Sequence, residues 1–78
     1  MPKYIDGKLY NIISYENDTP IEDQPAFLEA CSKYDIVDFT HHLYNHPIDS
    51  LPNNIKFINL AKCNVFDKIL KNLPYFIL

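Results

Sequence analysis

Three histidines are the residues of this chain whose type and spacing best suit metal binding. His42 and His46 are four residues apart, a spacing that would bring both to one face of a helix. Pro47 and the strand-like residues before it argue against a helix at this place. Adding His41 does not produce the ligand spacing of a zinc signature. We therefore interpret His42 as an inward-facing structural residue, and His41 and His46 as residues of turns.

Two cysteines could supply a nucleophile, but only beside a base. Cys63 is expected to lie near His42 in the interior, where structural cysteines are usually inert. Cys31 is distant in sequence, and neither residue belongs to a Cys-x-x-Cys pair, so free thiols in a reducing compartment are expected. A His/Cys metal site is kept as a remote third hypothesis. We expect no enzyme activity, no catalytic residues, no metal and no cofactor.

Composition and charge exclude several other classes of function. Gly7 is the single glycine, so the chain has neither a glycine-rich phosphate loop nor a Gly-x-Ser-x-Gly elbow. The net charge is −3, and all seven basic residues are lysines; without arginine, nucleic acid is not an expected partner. Four acidic residues form a segment that we interpret as a solvated loop, namely Glu16, Asp18, Glu22 and Asp23.

No segment predicts a membrane partner or a secretory leader. The apolar runs are all shorter than the roughly 18–20 residues that span a bilayer. Residues 1–7 lack the basic and apolar regions of a signal peptide. We therefore expect a soluble, cytoplasmic protein.

A repeat is visible in the second half of the chain. The segment from Tyr44 to Pro52 aligns without a gap with that from Phe66 to Pro74. Residues 55–65 also fill the pattern L-x-x-L-x-L-x-x-N/C-x-L with aliphatic residues and a cysteine. One repeat earlier, residues 34–44 show the same apolar positions, with His42 at the Asn/Cys position. This pattern predicts a short leucine-rich-repeat solenoid of two coils plus a truncated third.

Residues 1–33 do not continue this pattern. One further step of the same length places Glu16 and Asp18 where apolar residues should be. Asp6-Gly7 between apolar-rich runs predicts a β-hairpin, and residues 9–15 predict a strand. Asp23 and Pro25 predict the cap and first turn of a short helix over residues 26–33. We expect one domain of the α+β or α/β class, in which residues 1–33 cap the repeats of residues 34–78.

A family resemblance strengthens this prediction. Tyr44-Asn45-x-Pro47-Ile48 followed by Leu51-Pro52 resembles the FNIP repeat, a leucine-rich-repeat variant abundant in social amoebae and in giant viruses of amoebae. The second copy keeps Phe66 and Leu73-Pro74 but has Asp67-Lys68-Ile69 where the family has Asn-x-Pro-Ile. The resemblance implies a repeat fold that binds proteins, with no catalytic residues to transfer. For a viral member it implies the host cytoplasm.

Two surfaces are candidates for binding. In leucine-rich repeats the residues between the inward-facing ones line the concave strand face, and they are expected to contact a protein partner. They are Ile36, Asp38, Thr40, Phe57, Asn59 and Ala61. The alternative is a self-associating or vestigial repeat fragment, a homo-oligomer that pairs through its apolar C-terminal edge. This edge consists of Tyr75, Phe76, Ile77 and Leu78.

Overall fold

A computed structural model of the chain describes residues 2–48 and 50–66, together with the backbone of residues 76–77. These residues form a two-stranded antiparallel sheet, a four-stranded parallel sheet and one short α-helix. This is a small mixed structure of the predicted α+β type. The elements, in chain order, are β1 (Lys3–Ile5), β2 (Lys8–Tyr10), β3 (Ile12–Tyr15), α1 (Pro25–Ala30), β4 (Ile36–Phe39), β5 (Phe57–Asn59) and β6 (Phe76–Ile77).

Strands β1 and β2 form the predicted hairpin. Asp6 and Gly7 both have positive φ, at 52° and 81°, as a two-residue type I′ turn requires. The predicted continuous strand over residues 9–15 is wrong, because Asn11 separates β2 from β3. Its carbonyl accepts the N–H groups of both Asp35 and Ile36, each at 3.0 Å. Asn11 thus marks the point where the chain passes from the hairpin to the parallel sheet.

The predicted helix forms, with Pro25 at its first position, but it is shorter than expected. A 3₁₀ turn precedes it at Ile21–Asp23 and another follows at Cys31–Lys33. The expectation that Asp23 caps the helix is wrong. Asp23 ends the first 3₁₀ turn, Gln24 stands at the cap position, and no side chain bonds to the free N–H groups there.

The parallel sheet has the strand order β3-β4-β5-β6, which is also the chain order. Val37 lies opposite Ile58, so the predicted repeat offset between these two strands is confirmed. Strand β3 joins the same sheet, with Ile13 opposite Val37 and Tyr15 opposite Phe39. The offset from Ile13 to Val37 is longer than that from Val37 to Ile58. For this reason a second step of the repeat length does not reveal β3 in the sequence.

One face of the parallel sheet carries the core. Side chains alternate between faces along a strand, and Tyr15, Val37, Phe39 and Ile58 are buried on the same side. The helix contributes Phe27 and Leu28, which pack against this cluster. The segments between the strands supply the other fully or almost fully buried residues, namely Ile21, Cys31, Tyr44, Ile48, Leu51, Ile55 and Cys63.

Truncation of Ile58 to alanine tests this assignment of the core. We expect Ile58→Ala to lower the free energy of unfolding by about 2–5 kcal/mol, because it opens a cavity beneath a buried strand. Val65→Ala is the matched control. Val65 is 46% exposed, and its truncation should change the stability by less than about 0.5 kcal/mol. Urea denaturation measures both changes, and equal losses would show that the core face is wrongly assigned.

Candidate functional site: the outer face of the parallel sheet

The side of the parallel sheet that faces away from the core carries two rows of side chains. We call this side the outer face. Strand pairing aligns Ile12, Ile36 and Phe57 in an apolar row, and Ser14, Asp38 and Asn59 in a polar row. The two rows differ in chemistry and in access to solvent.

The apolar row is partly covered. Ile36 is only 1% exposed although it lies outside the main core cluster. Phe57 is half-buried, and the ring of Tyr10 contacts it edge-on with 5.3 Å between the ring centroids. The expectation that Ile36 contacts a partner directly is therefore wrong for this conformation. The hairpin places Tyr10 beside Phe57. Local sequence patterns do not predict this long-range contact.

The polar row is accessible. Ser14 is exposed, and Asp38 and Asn59 are partly exposed. The Lys62 ammonium lies 3.3 Å from Oδ2 of Asp38. The other carboxylate oxygen, Oδ1, is buried and has no hydrogen-bond partner among the described residues. This oxygen is therefore an acceptor at the centre of the polar row that no described residue uses.

Thr40 and Ala61 lie next to the polar row, just beyond the ends of β4 and β5. Both the N–H and the hydroxyl of Thr40 donate to the carbonyl of Tyr15, at 3.0 and 3.4 Å. The N–H of Ala61 donates to Oδ1 of Asn59 at 3.0 Å, and the Ala61 side chain is exposed. Five of the six predicted contact residues thus have accessible surface: Asp38, Thr40, Phe57, Asn59 and Ala61.

Ser14 and Lys62 also belong to this region, and the sequence analysis missed both. Ser14 lies opposite Asp38 because the offset between β3 and β4 is longer than the repeat offset between β4 and β5. An alignment that allowed this longer offset would have found it. Lys62 directly follows Ala61, a predicted contact residue. Its position beside the predicted binding surface was the sequence feature that could have identified it.

His42 does not take the inward-facing position that was expected for it. His42 is exposed, and its ring stacks on that of His41 with 5.3 Å between centroids. The expectation that His42 faces inward is wrong, because Phe39 and Tyr44 fill the interior on either side of it. Nδ1 of His41 accepts the N–H of the nearby Leu43.

His46 joins two loops. Its Nε2 atom is 2.6 Å from the carbonyl oxygen of Asp18, so this nitrogen carries a hydrogen and donates it. The Asp18 carboxylate lies 3.7 Å from the same nitrogen. In the part of the chain that the structure describes, no three histidine, cysteine or acidic side chains converge as metal ligands.

Both cysteines are buried and unbridged. Cys63 occupies the predicted interior position, and its thiol donates to the carbonyl of Phe39 at 3.4 Å. Burial raises the pKa of the Cys63 thiol, and the charge of Asp38 raises it further. Burial also raises the pKa of Cys31, to about 11. Because the thiolate is the nucleophile, these shifts lower the reactive fraction of both cysteines at neutral pH.

Tyr44 connects the core to the segment that precedes the helix. Its ring is fully buried and lies parallel to that of Phe66, at 6.4 Å between centroids. Its hydroxyl oxygen accepts the N–H of Ile21 at 3.2 Å. Burial raises the pKa of Tyr44 to about 12, although the hydrogen bond from Ile21 opposes the shift. The neutral phenol is therefore the form that the fold favours.

The remaining predictions concern the acidic loop and the C-terminal edge. Glu16, Asp18, Glu22 and Asp23 are all exposed, as expected, but Glu22 and Asp23 lie in the first 3₁₀ turn and not in a loop. Phe76 and Ile77 form β6, which pairs with β5. Tyr75 and Leu78 lie outside the described residues.

Ionisation of Tyr44 should destabilise the protein in alkaline solution. The unfolded chain loses this proton near pH 10, whereas the folded protein keeps it until about pH 12. The free energy of unfolding should therefore fall through this window, and Tyr44 should account for about 3 kcal/mol of the fall. Below this window its contribution is constant.

Urea denaturation at a series of pH values measures this effect. We expect the stability of Tyr44→Phe to depend less steeply on pH between about 10 and 12, because phenylalanine has no proton to lose. Tyr4→Phe is the control, because Tyr4 is 72% exposed. This variant should show the same dependence of stability on pH as the wild type. A Tyr44→Phe variant with the slope of the wild type would show that the phenol ionises without cost.

The described residues contain no helix of sufficient length and apolar character to cross a membrane, and no surface pocket is found among them. Comparison of the chain with models of known protein families, with curated proteins and with solved structures finds no match.

Proposed function

We propose that this chain is a non-enzymatic protein–protein interaction module of the FNIP leucine-rich-repeat type, which binds its partner at the polar end of the outer face. The observation that carries this proposal is the register of Ser14, Asp38 and Asn59 on three adjacent parallel strands. A row of polar groups on neighbouring strands offers donors and acceptors at fixed spacing. Such an arrangement suits recognition of an extended segment or a loop of another protein.

Three observations support the repeat assignment. Tyr44 and Phe66 occupy the same position in the two aligned segments, and their rings lie parallel. Cys63 stands at the Asn/Cys position, and its thiol bonds to the carbonyl of Phe39 in the preceding strand. The strands β3 to β6 are parallel, and β4, β5 and β6 each pair with the strand before them in the chain. A leucine-rich repeat requires parallel strands that follow one another in this way.

The chemistry of the outer face indicates what a partner must offer. Asp38 has one oxygen beside Lys62 and another that accepts no hydrogen bond from the described residues. A backbone N–H, a hydroxyl or a cationic side chain of the partner would complete its hydrogen bonding. The exposed ammonium of Lys62 can in turn donate to a carbonyl or carboxylate. The partner is therefore expected to be polar, with donors opposite Asp38.

The cytoplasm is the compartment that we propose. Cys31 and Cys63 are both unbridged, and thiols persist in reducing compartments.

A lysine placed at the edge of the polar row tests the binding surface. Peptides selected from a displayed library on the folded wild-type protein supply the probe. We expect Ala61→Lys to weaken the binding of the selected peptides at least about tenfold, because a long cationic side chain then occupies the surface beside Asn59. Titration of fluorescent peptides measures the affinity.

The matched control is Ala26→Lys. Ala26 is also exposed, but it lies on α1, and the same substitution there should leave peptide affinity unchanged. Equal weakening by both variants would mean a general charge effect. If the peptides bind both variants with the affinity that they show for the wild type, the binding surface lies elsewhere and the proposal is contradicted.

A second candidate function is self-association through the C-terminal edge. The observation that favours it is the position of β6, which is the last strand of the parallel sheet in the described structure. An edge strand has backbone groups on one side that another chain can pair with. In this case the chain is a structural or vestigial repeat fragment that completes its sheet with a second copy.

Light scattering over a concentration series separates the two candidates. Self-association predicts a mass that rises from the monomer value of 9.2 kDa toward twice that value. Ile77→Pro should then restore the monomer, because proline removes a backbone donor from the edge strand. A monomer at every concentration would contradict self-association and leave the outer face as the binding surface.

A further inference from the structure

The hairpin of β1 and β2 contacts the apolar row of the outer face through the ring of Tyr10. Tyr10 meets Phe57 edge-on, and Ile36 lies between Ile12 and Phe57 in the sheet. Ile36 is fully buried, yet it is separate from the main core cluster. The burial of Ile36 therefore has a different origin from that of the core residues on the opposite face.

The hairpin is otherwise self-contained. Its strands pair with each other, from Lys3 opposite Tyr10 to Ile5 opposite Lys8. Among the described residues, no hydrogen bond joins residues 2–10 to the rest of the chain. The backbone of the hairpin also approaches the other elements only sparsely. An isolated two-stranded hairpin is marginally stable in water, so displacement from the sheet should also loosen the pairing of β1 with β2.

Asn11 is the single residue between the hairpin and β3, and it is firmly anchored. Its carbonyl accepts two N–H groups, and its own N–H donates to Oδ2 of Asp35 at 3.1 Å. A fixed residue at the base of a weakly held hairpin has the arrangement of a hinge. Rotation about the bonds on the N-terminal side of Asn11 would lift Tyr10 from Phe57 and leave the parallel sheet intact.

We propose that the hairpin is a hinged cover that controls access to the apolar row. In the closed state Tyr10 occupies the position over Phe57. In the open state a partner that carries an aromatic side chain takes this position and contacts Ile36 and Phe57 beside the polar row. This inference rests on the proposed function, since it describes the regulation of the same binding face. Apolar residues predicted to contact a partner would then be covered in the closed state and available in the open state.

Hydrogen exchange of the wild-type protein tests the cover without any partner. If the hairpin opens on its own, the amides protected within residues 3–10 should exchange at least about tenfold faster than those of Val37 and Ile58, because local opening costs less free energy than global unfolding. Equal exchange free energies for the hairpin and the parallel sheet would show that they unfold as one unit, and this would overturn the proposal.

A fluorescent reporter tests whether opening uncovers the apolar row. The chain contains no tryptophan, so Phe57→Trp gives a single probe at this position. We expect Tyr10→Ser in this background to increase acrylamide quenching of the tryptophan severalfold while the amides of Val37 and Ile58 stay protected. The control Tyr4→Ser removes a tyrosine from the exposed side of the same hairpin and should not increase quenching.

The outcomes separate the cover from the binding function. Unchanged quenching in Tyr10→Ser would overturn the proposal of a hinged cover. Loss of protection at Val37 and Ile58 would also overturn it, because the hairpin would then be part of the folding core. Neither measurement depends on the selected peptides. If the peptides bind the polar row, Tyr10→Ser should tighten the binding of those that contain an aromatic residue, since Tyr10 no longer competes with them.

Discussion

Parallel pairing on both sides of β4 is the constraint on which the rest of the structure depends. Strand β4 receives β3 on one edge and β5 on the other, and alternation of side chains then assigns every residue of the sheet to one of two faces. Val37 and Phe39 must enter the core, whereas Ile36 and Asp38 must face outward. A slip of one residue would place the carboxylate of Asp38 among the aromatic rings. Burial of the core thereby fixes the position of the polar row.

Local features of the fold were predictable from the sequence, because a few adjacent residues determine them. The positive φ angles of Asp6 and Gly7 follow from residue types that tolerate this conformation. The offset between β4 and β5 follows from repeated apolar positions. The pairing of β3 was not predictable in the same way, because the segment before β4 is longer and repeat periodicity cannot anticipate an insertion. The helix cap was also wrongly assigned, since the 3₁₀ turn incorporates Asp23.

For the candidate site, sequence reasoning identified the residue types but not their accessibility. Asp38 and Asn59 were placed on the outer face from alternation alone. Whether Ile36 is exposed depends on which distant segments pack over the sheet, and this is a tertiary property that no periodicity reports. The same holds for His42, whose repeat position suggested burial. The interior beside it is already filled by Phe39 and Tyr44, so the imidazole is displaced to the surface.

The agreement between strand order and chain order has a consequence for how the protein is made. After β3, each strand of the parallel sheet pairs with the strand that precedes it in the sequence. During synthesis on a ribosome, β3 and β4 are therefore both available before β5 leaves the exit tunnel, and the sheet can grow by addition of one strand at a time. The newest edge is always the one nearest the ribosome. The nascent chain thus exposes one unfinished strand edge at each stage, and the core beneath it is completed only when the later segments arrive.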